Sequence, residues 1–179
     1  QRIDVDCNTL WSLPEEGGIP LWQEEGTQEY AKVTYYSDDY SVVVWEDRRT
    51  NDFVSDIFIQ YLDMDGNLQL DIGGEPICTN EAPQIKPRIK ASPSGTFVVW
   101  EDNRYGAGDI YVQKNILGQG NQFEEDGLGV CNAFSSQDQP RLTTDGLGGA
   151  YVVWMDERYG SFPETEIFAQ YLDLNGNNS

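Results

Sequence analysis

The stretch VVWEDNRYGAGDIYVQ, residues 98–113, decides the fold because the chain carries it three times. The other copies are VVWEDRRTNDFVSDIFIQ from Val43 and VVWMDERYGSFPETEIFAQ from Val152. Taken alone, its acid pair and arginine read as a catalytic cluster. An active site is singular, however, and a charged set that recurs in every copy of a unit points to structure.

Self-similarity at a period of about 20–50 residues or slightly more is the signature of repeat architecture. Trp45, Trp100 and Trp154 lie 55 and 54 residues apart, and each ends an apolar run. Asp47, Asp102 and Asp156 follow two residues later, then Arg49, Arg104 and Arg158, giving a W-x-D-x-R core. Downstream, Gln60, Gln113 and Gln170 fall in register, and upstream so do Gln28, Gln84 and Gln137, followed by Lys32, Arg88 and Arg141. Cys78 and Cys131 share a column with Trp22, and the opening QRIDVDCN aligns with the segment from Gln60, Cys7 standing where Gly66 stands.

Each unit of about 55 residues parses into four short strands, near KPRIKAS, TFVVWED and DIYVQKN with a weaker one near EPICT. Asp-Gly, Asn-Gly and Ser-Gly turns join them, suited to positive φ. The tryptophan strand is apolar on consecutive residues, the mark of a strand covered on both faces. No long 3.6-residue periodicity occurs, so helix is expected to be nearly absent. Four antiparallel strands per repeat is the blade of a β-propeller. The sequence therefore predicts an all-β chain, a single propeller-like module over 1–179 with repeats near 1–59, 60–112 and 113–169 and a closing segment 170–179.

The pattern V-V-W-x-D-x-R, D-I-Y-x-Q, G-x-x-x-C and Q-x-x-P-R resembles the repeats of large secreted bacterial proteins with sialidase-like or kelch-like propellers. The resemblance spans essentially the whole chain. It implies the fold and an extracellular or cell-surface address, and it implies no particular activity, since one fold hosts many functions. A propeller needs about four blades to close. Three leave two open faces, so the sequence raises a fragment of a longer chain, a six-bladed ring of two chains, or edge strands pairing into a fibre.

Composition narrows the function. With 31 acidic against 11 basic residues, a net charge of −20 and no histidine, the chain lacks the basic face that nucleic acid or an anionic membrane requires. No apolar run approaches the roughly 20 residues of a membrane span, and the start lacks the layout of a signal peptide, as expected of mature soluble material. The cysteines Cys7, Cys78 and Cys131 are odd in number and form no disulfide framework. Cys78 and Cys131 read as small buried fillers.

Three chemistries present themselves. The W-x-D-x-R residues read as structural, each aspartate accepting turn amides or pairing with arginine. A glycosidase would use paired carboxylates, but the S-x-D-x-G-x-x-W boxes of sialidases are absent from SPSGTFVVW and TTDGLGGAYVVW. Asp63, Asp65 and Asn67, like Asp4, Asp6, Asn8 and Asp173, Asn175, Asn177, place oxygen donors at alternate positions as Ca²⁺ loops do. A plain hairpin turn explains the same residues, since no glutamate follows at the twelfth position.

The reading is a non-catalytic binding or assembly module. Its partner is a protein, a glycan, or further copies meeting through edge strands. The alternatives are a self-assembling filament or ring and a fragment of a propeller glycoside hydrolase. Tyr105, Tyr159 and Phe162, in the loops that vary between copies, are the candidate contact residues.

Overall fold

A computed structural model describes residues 1–11, 17–37, 39–50, 52–160 and 164–178. Within them the chain is all-β, as the turn chemistry and apolar runs predict, and contains no helix. No helix long and apolar enough to cross a membrane occurs among the described residues.

The strands fall into three antiparallel sheets taken in chain order. β1 (Gln28–Ser37), β2 (Tyr40–Asp47), β3 (Asp56–Asp63) and β4 (Glu75–Cys78) form the first. β5 (Gln84–Ser92), β6 (Gly95–Asp102) and β7 (Asp109–Ile116) form the second, with β8 (Gly120–Asn121) and β9 (Leu128–Cys131) both paired to β7. β10 (Gln137–Thr144), β11 (Ala150–Asp156) and β12 (Glu166–Leu172) form the third. Every tryptophan strand is central, and the hairpins register alike: Trp45 faces Phe58, Trp100 faces Tyr111 and Trp154 faces Phe168.

Local sequence explains the joins. Between β10 and β11 the Asp145 carboxylate accepts the amides of Leu147, Gly148 and Gly149 at 2.7, 3.0 and 3.0 Å, an Asx-type turn. Each first strand carries a bulge in which a non-glycine residue takes positive φ: Tyr30 (55°), Lys86 (55°) and Gln139 (51°). The carbonyls freed there are met by the basic column: Lys32 Nζ donates to Tyr30 O at 2.9 Å, Arg88 to Pro87 O at 2.9 Å and Arg141 to Pro140 O at 2.9 Å. The aligned Lys/Arg positions are thus bulge caps.

The sheets pack face against face. Val42, Val44, Ile57, Ile59 and Tyr61 of the first sheet form one core with Val98, Trp100 and Tyr111 of the second. Phe97, Val99, Ile110 and Val112 on the second sheet's other face form a second core with Ala150, Val152, Trp154 and Leu172 of the third. Each fully buried aliphatic or aromatic side chain contributes roughly 1.5–3 kcal/mol. Polar ties cross the first seam, where Ser55 and Gln84 exchange two hydrogen bonds of 2.8 Å and Tyr61 Oη meets Asn115 Oδ1 at 2.9 Å. Across the second, the Gln137 amide donates to Gly108 O at 2.6 Å.

Candidate functional site

The W-x-D-x-R residues form one assembly, built three times at the end of each central strand. Asp102, with no solvent exposure, accepts the Trp100 indole at 2.8 Å, the Arg104 amide at 3.0 Å, and Arg104 Nε and Nη2 at 2.8 and 2.7 Å. Asp156 accepts the same four donors from Trp154 and Arg158 at 2.9, 2.9, 2.9 and 2.5 Å. The guanidinium also lies over the ring opposite the tryptophan: Tyr111 at 3.9 Å, Phe168 at 4.2 Å and, for Arg49, Phe58 at 3.8 Å.

Each arginine then reaches the column shared by Trp22, Cys78 and Cys131. Arg104 Nη2 lies 3.5 Å from Cys78 Sγ and Arg158 Nη2 lies 2.8 Å from Cys131 Sγ. Arg49 instead stacks on the Trp22 ring at 4.2 Å, donating through Nη2 to Asp47 at 2.6 Å and to Gly73 O at 2.8 Å. Arg104 makes the matching bond to Asp126 O at 2.8 Å. Each arginine therefore touches the fourth-strand column of the preceding unit, and Arg49 and Arg104 also lock their own tryptophan hairpins to the segment entering the fourth strand. All three cysteines are free thiols, and burial pushes those of Cys78 and Cys131 up from their ordinary range, so Cys78 sits as an inert packed group.

The electrostatics of the assembly have a definite sign. Burial opposes ionisation of Asp47 and Asp156, but the bonds from Arg and Trp outweigh it and hold both carboxyls low, that of Asp156 at about 2. Burial pushes Glu46, Asp56 and Asp109 the other way, up from the ordinary carboxyl range. A lowered carboxyl stabilises the fold above its unfolded pKa and loses that contribution as pH falls through its folded value. A raised carboxyl destabilises the fold while ionised and is relieved as pH falls. The melting temperature is therefore expected to rise as pH falls from 7 toward the ordinary carboxyl range, where Glu46, Asp56 and Asp109 are relieved, and to collapse between about pH 4 and pH 2 as Asp47 and Asp156 are protonated. A thermal melt series in pH checks this, and a steady decline from pH 7 downward would contradict it.

The turn carrying Asp63, Asp65 and Asn67 is closed on itself. Asp63 Oδ1 accepts the amides of Asp65 and Asn67 at 2.9 and 2.8 Å, and Oδ2 accepts Asn67 Nδ2 at 2.8 Å and Gln69 Nε2 at 3.3 Å. The Asp4 and Asp173 turns repeat the first three of these bonds. The glycine column is explained with them, since Cys7, Gly66 and Gly176 all have positive φ, at 65°, 88° and 84°. Among the described residues no three acid, cysteine or histidine side chains converge to hold a metal ion.

Tyr105 and Tyr159 each directly follow the arginine of the assembly and are 72% and 77% exposed. The Tyr159 ring lies 6.1 Å from that of Phe168. Phe162 lies outside the described residues. The two tyrosines take the same place on the second and third sheets, where Thr50 stands on the first. Sequence reasoning missed the bulges at Tyr30, Lys86 and Gln139, whose one signal is the Q-x-x-P spacing in two of the three units. It also missed the exposed outer face of the third sheet, where Tyr151, Val153 and Ile167 stand. Comparison of the chain with protein-family models, with characterised proteins and with solved structures finds no match.

Proposed function

We propose that the chain is a module of propeller-type blades that works outside the cell or at its surface as a non-catalytic scaffold, binding a protein or a glycan. The observation that carries the reading is the use made of the charged residues. The W-x-D-x-R set is spent three times on internal ties, with its carboxylates saturated by indole, amide and guanidinium donors. What varies beside it is a loop bearing an exposed aromatic, Tyr105 on one unit and Tyr159 on the next. Tyrosine offers a rigid apolar ring with a polar tip, the chemistry that anchors sugars and protein partners alike.

Three sheets stacked in chain order, each with its tryptophan strand between two others and joined to the next at the same residues, support the blade reading. The test is a screen against arrayed glycans and extracellular proteins, repeated with Tyr105→Ala/Tyr159→Ala. The double variant is expected to lose at least about tenfold in affinity with a melting temperature within error of the parent, since exposed side chains cost about 0.5 kcal/mol or less. Binding that survives the double variant would overturn the loop assignment. Turnover of an aryl glycoside that vanishes on replacing one carboxylate would instead mark an enzyme. Assembly with further copies is a second reading, favoured by the outer face of the third sheet.

A further inference from the structure

In the first two units a second buried acid stands across the ladder from the framework aspartate, Asp56 opposite Asp47 and Asp109 opposite Asp102. Both are 4% exposed. Like charges directly opposite each other on a sheet are destabilising, and a carboxylate taken out of water needs hydrogen-bond donors. The first unit supplies one, since Thr50 Oγ1 donates to Asp56 Oδ2 at 3.2 Å. In the second unit the matching oxygen, Asp109 Oδ2, is buried and has no partner. The cause is one exchange in the repeat: the residue after the framework arginine is Thr50 in the first unit and Tyr105, turned out to solvent, in the second.

The surroundings change in the same sense. The mouth around Asp56 is an open cleft walled by Thr50, Thr79 and Glu81. Counted from the aligned cysteines, Asn132 stands for Thr79 and Phe134 for Glu81. Asn132 is engaged, its Nδ2 donating to Tyr111 Oη at 3.2 Å. The other two wall positions thus pass from threonine and glutamate to two aromatic rings, and Phe134 is 93% exposed. The loops that carry them are joined by the bond from the Gln137 amide to Gly108 O. Beside Phe134, Ser135 takes φ 81°, a conformation that a non-glycine residue adopts at a cost and that is found where loops hold ligands.

We infer that the mouth of the second hairpin binds a neutral sugar, which brings Asp109 the hydroxyl donor that Thr50 brings Asp56 and lays the apolar face of its ring against Tyr105 and Phe134. A sugar ring carries both parts, hydroxyls at its rim and C–H groups on its faces, and aromatic side chains offer an apolar surface to the second. Charge selects within the class. A net charge of −20 turns away acidic glycans, and the Arg104 guanidinium, near enough to act on Asp109, opposes a cationic donor such as a partner's lysine. The Tyr105 loop is anchored at Gly108 and free at Gly106, where a Cβ would meet nothing within 4 Å, so it can shift to bare Asp109 Oδ2. The inference rests on the Tyr105 loop being a binding loop, and adds the ligand class, the acceptor and Phe134.

The probes are linear neutral oligosaccharides of glucose, mannose and galactose, with a uronic-acid and a sulfated oligosaccharide beside them, titrated into the ¹³C-labelled chain. At least one neutral probe is expected to bind with a Kd of about 1 mM or below, moving the Asp109 carboxyl resonance together with the ring resonances of Tyr105 and Phe134. The acidic probes are expected not to bind. Tyr105→Phe keeps the ring and is expected to hold its affinity within about twofold. Tyr105→Thr is expected to lose at least about tenfold. It is also expected to melt about 2–4 °C above Tyr105→Ala, because its hydroxyl takes the place of the ligand's, and loss of stacking alone gives no such gain. The proposal is overturned by neutral sugars that bind without moving the Asp109 resonance, by none that binds at about 10 mM, or by Tyr105→Thr melting with Tyr105→Ala. A protein partner that binds the parent and is lost in Tyr105→Ala/Tyr159→Ala would rule out the sugar and leave the loop face standing as a binding surface.

Discussion

Asp102→Ala is expected to destabilise the chain by about 3–5 kcal/mol, the cost of removing one partner of a buried, hydrogen-bonded ion pair. The aspartate is fully buried and accepts four donors, two from the Arg104 guanidinium, one from its amide and one from the Trp100 indole. Its removal strands an arginine whose side chain is 13% exposed and an indole with no other acceptor in reach among its described bonds. Asp102→Asn keeps an acceptor for the indole and is expected to cost less. Asp156→Ala should also cost less than Asp102→Ala, because the Arg158 side chain is 24% exposed and can recover water. Urea unfolding of the three variants checks the order. An Asp102→Ala protein with the parent's unfolding midpoint would remove the aspartate from the framework.

Gly127→Ala is the second large effect, expected at about 3 kcal/mol from left-handed backbone strain and overpacking together. Gly127 sits at φ +86°, and a Cβ there would stand 2.4 Å from Trp100 Cη2 and 2.9 Å from Val112 O. The tryptophan ring cannot retreat without breaking its bond to Asp102, and the carbonyl belongs to a strand. Gly74 repeats the arrangement, at φ +73° with a Cβ position 2.2 Å from Ile59 O and 2.9 Å from Trp45 Cη2. Gly118, also at positive φ but with nothing within 4 Å, provides the control. Gly118→Ala is expected to cost about 1–2 kcal/mol, the backbone strain alone. Equal losses at Gly118 and Gly127 would show that the tryptophan contact carries no weight.

The all-β class was legible because its determinants are local. Turn residues, consecutive valines before each tryptophan and the three-fold column of Gln, Trp, Asp and Arg all act within a hairpin or between neighbouring strands. The roles of the basic column were not legible, because the bulge it caps is formed by Tyr30, Lys86 and Gln139, residue types that carry no preference for positive φ. The cysteine column was aligned correctly but its arginine partner was invisible, since Arg104 and Cys78 come from different sheets. The exposed face of β11 illustrates the same limit. Valine in the same string is 0% exposed at Val44 and Val99 and 37% exposed at Val153, because the covering sheet decides its burial and the strand's own sequence does not. The calcium-like spacing of Asp63, Asp65 and Asn67 was real as a pattern, and in the structure its first carboxylate is taken up by donors of its own turn.

The central claim is that three equivalent units are each pinned by a buried tryptophan donating to an aspartate. Hydrogen exchange of the five indole N–H groups, followed by ¹⁵N NMR, tests it most directly. Trp45, Trp100 and Trp154 donate to buried carboxylates at 2.7, 2.8 and 2.9 Å, while Trp11 and Trp22 donate at exposed sites to carbonyls at 3.1 and 3.5 Å. Three indole protons are therefore expected to exchange only through opening of the sheets, and two to exchange within the dead time of the measurement. A single protected indole, or five that exchange alike, would contradict the account.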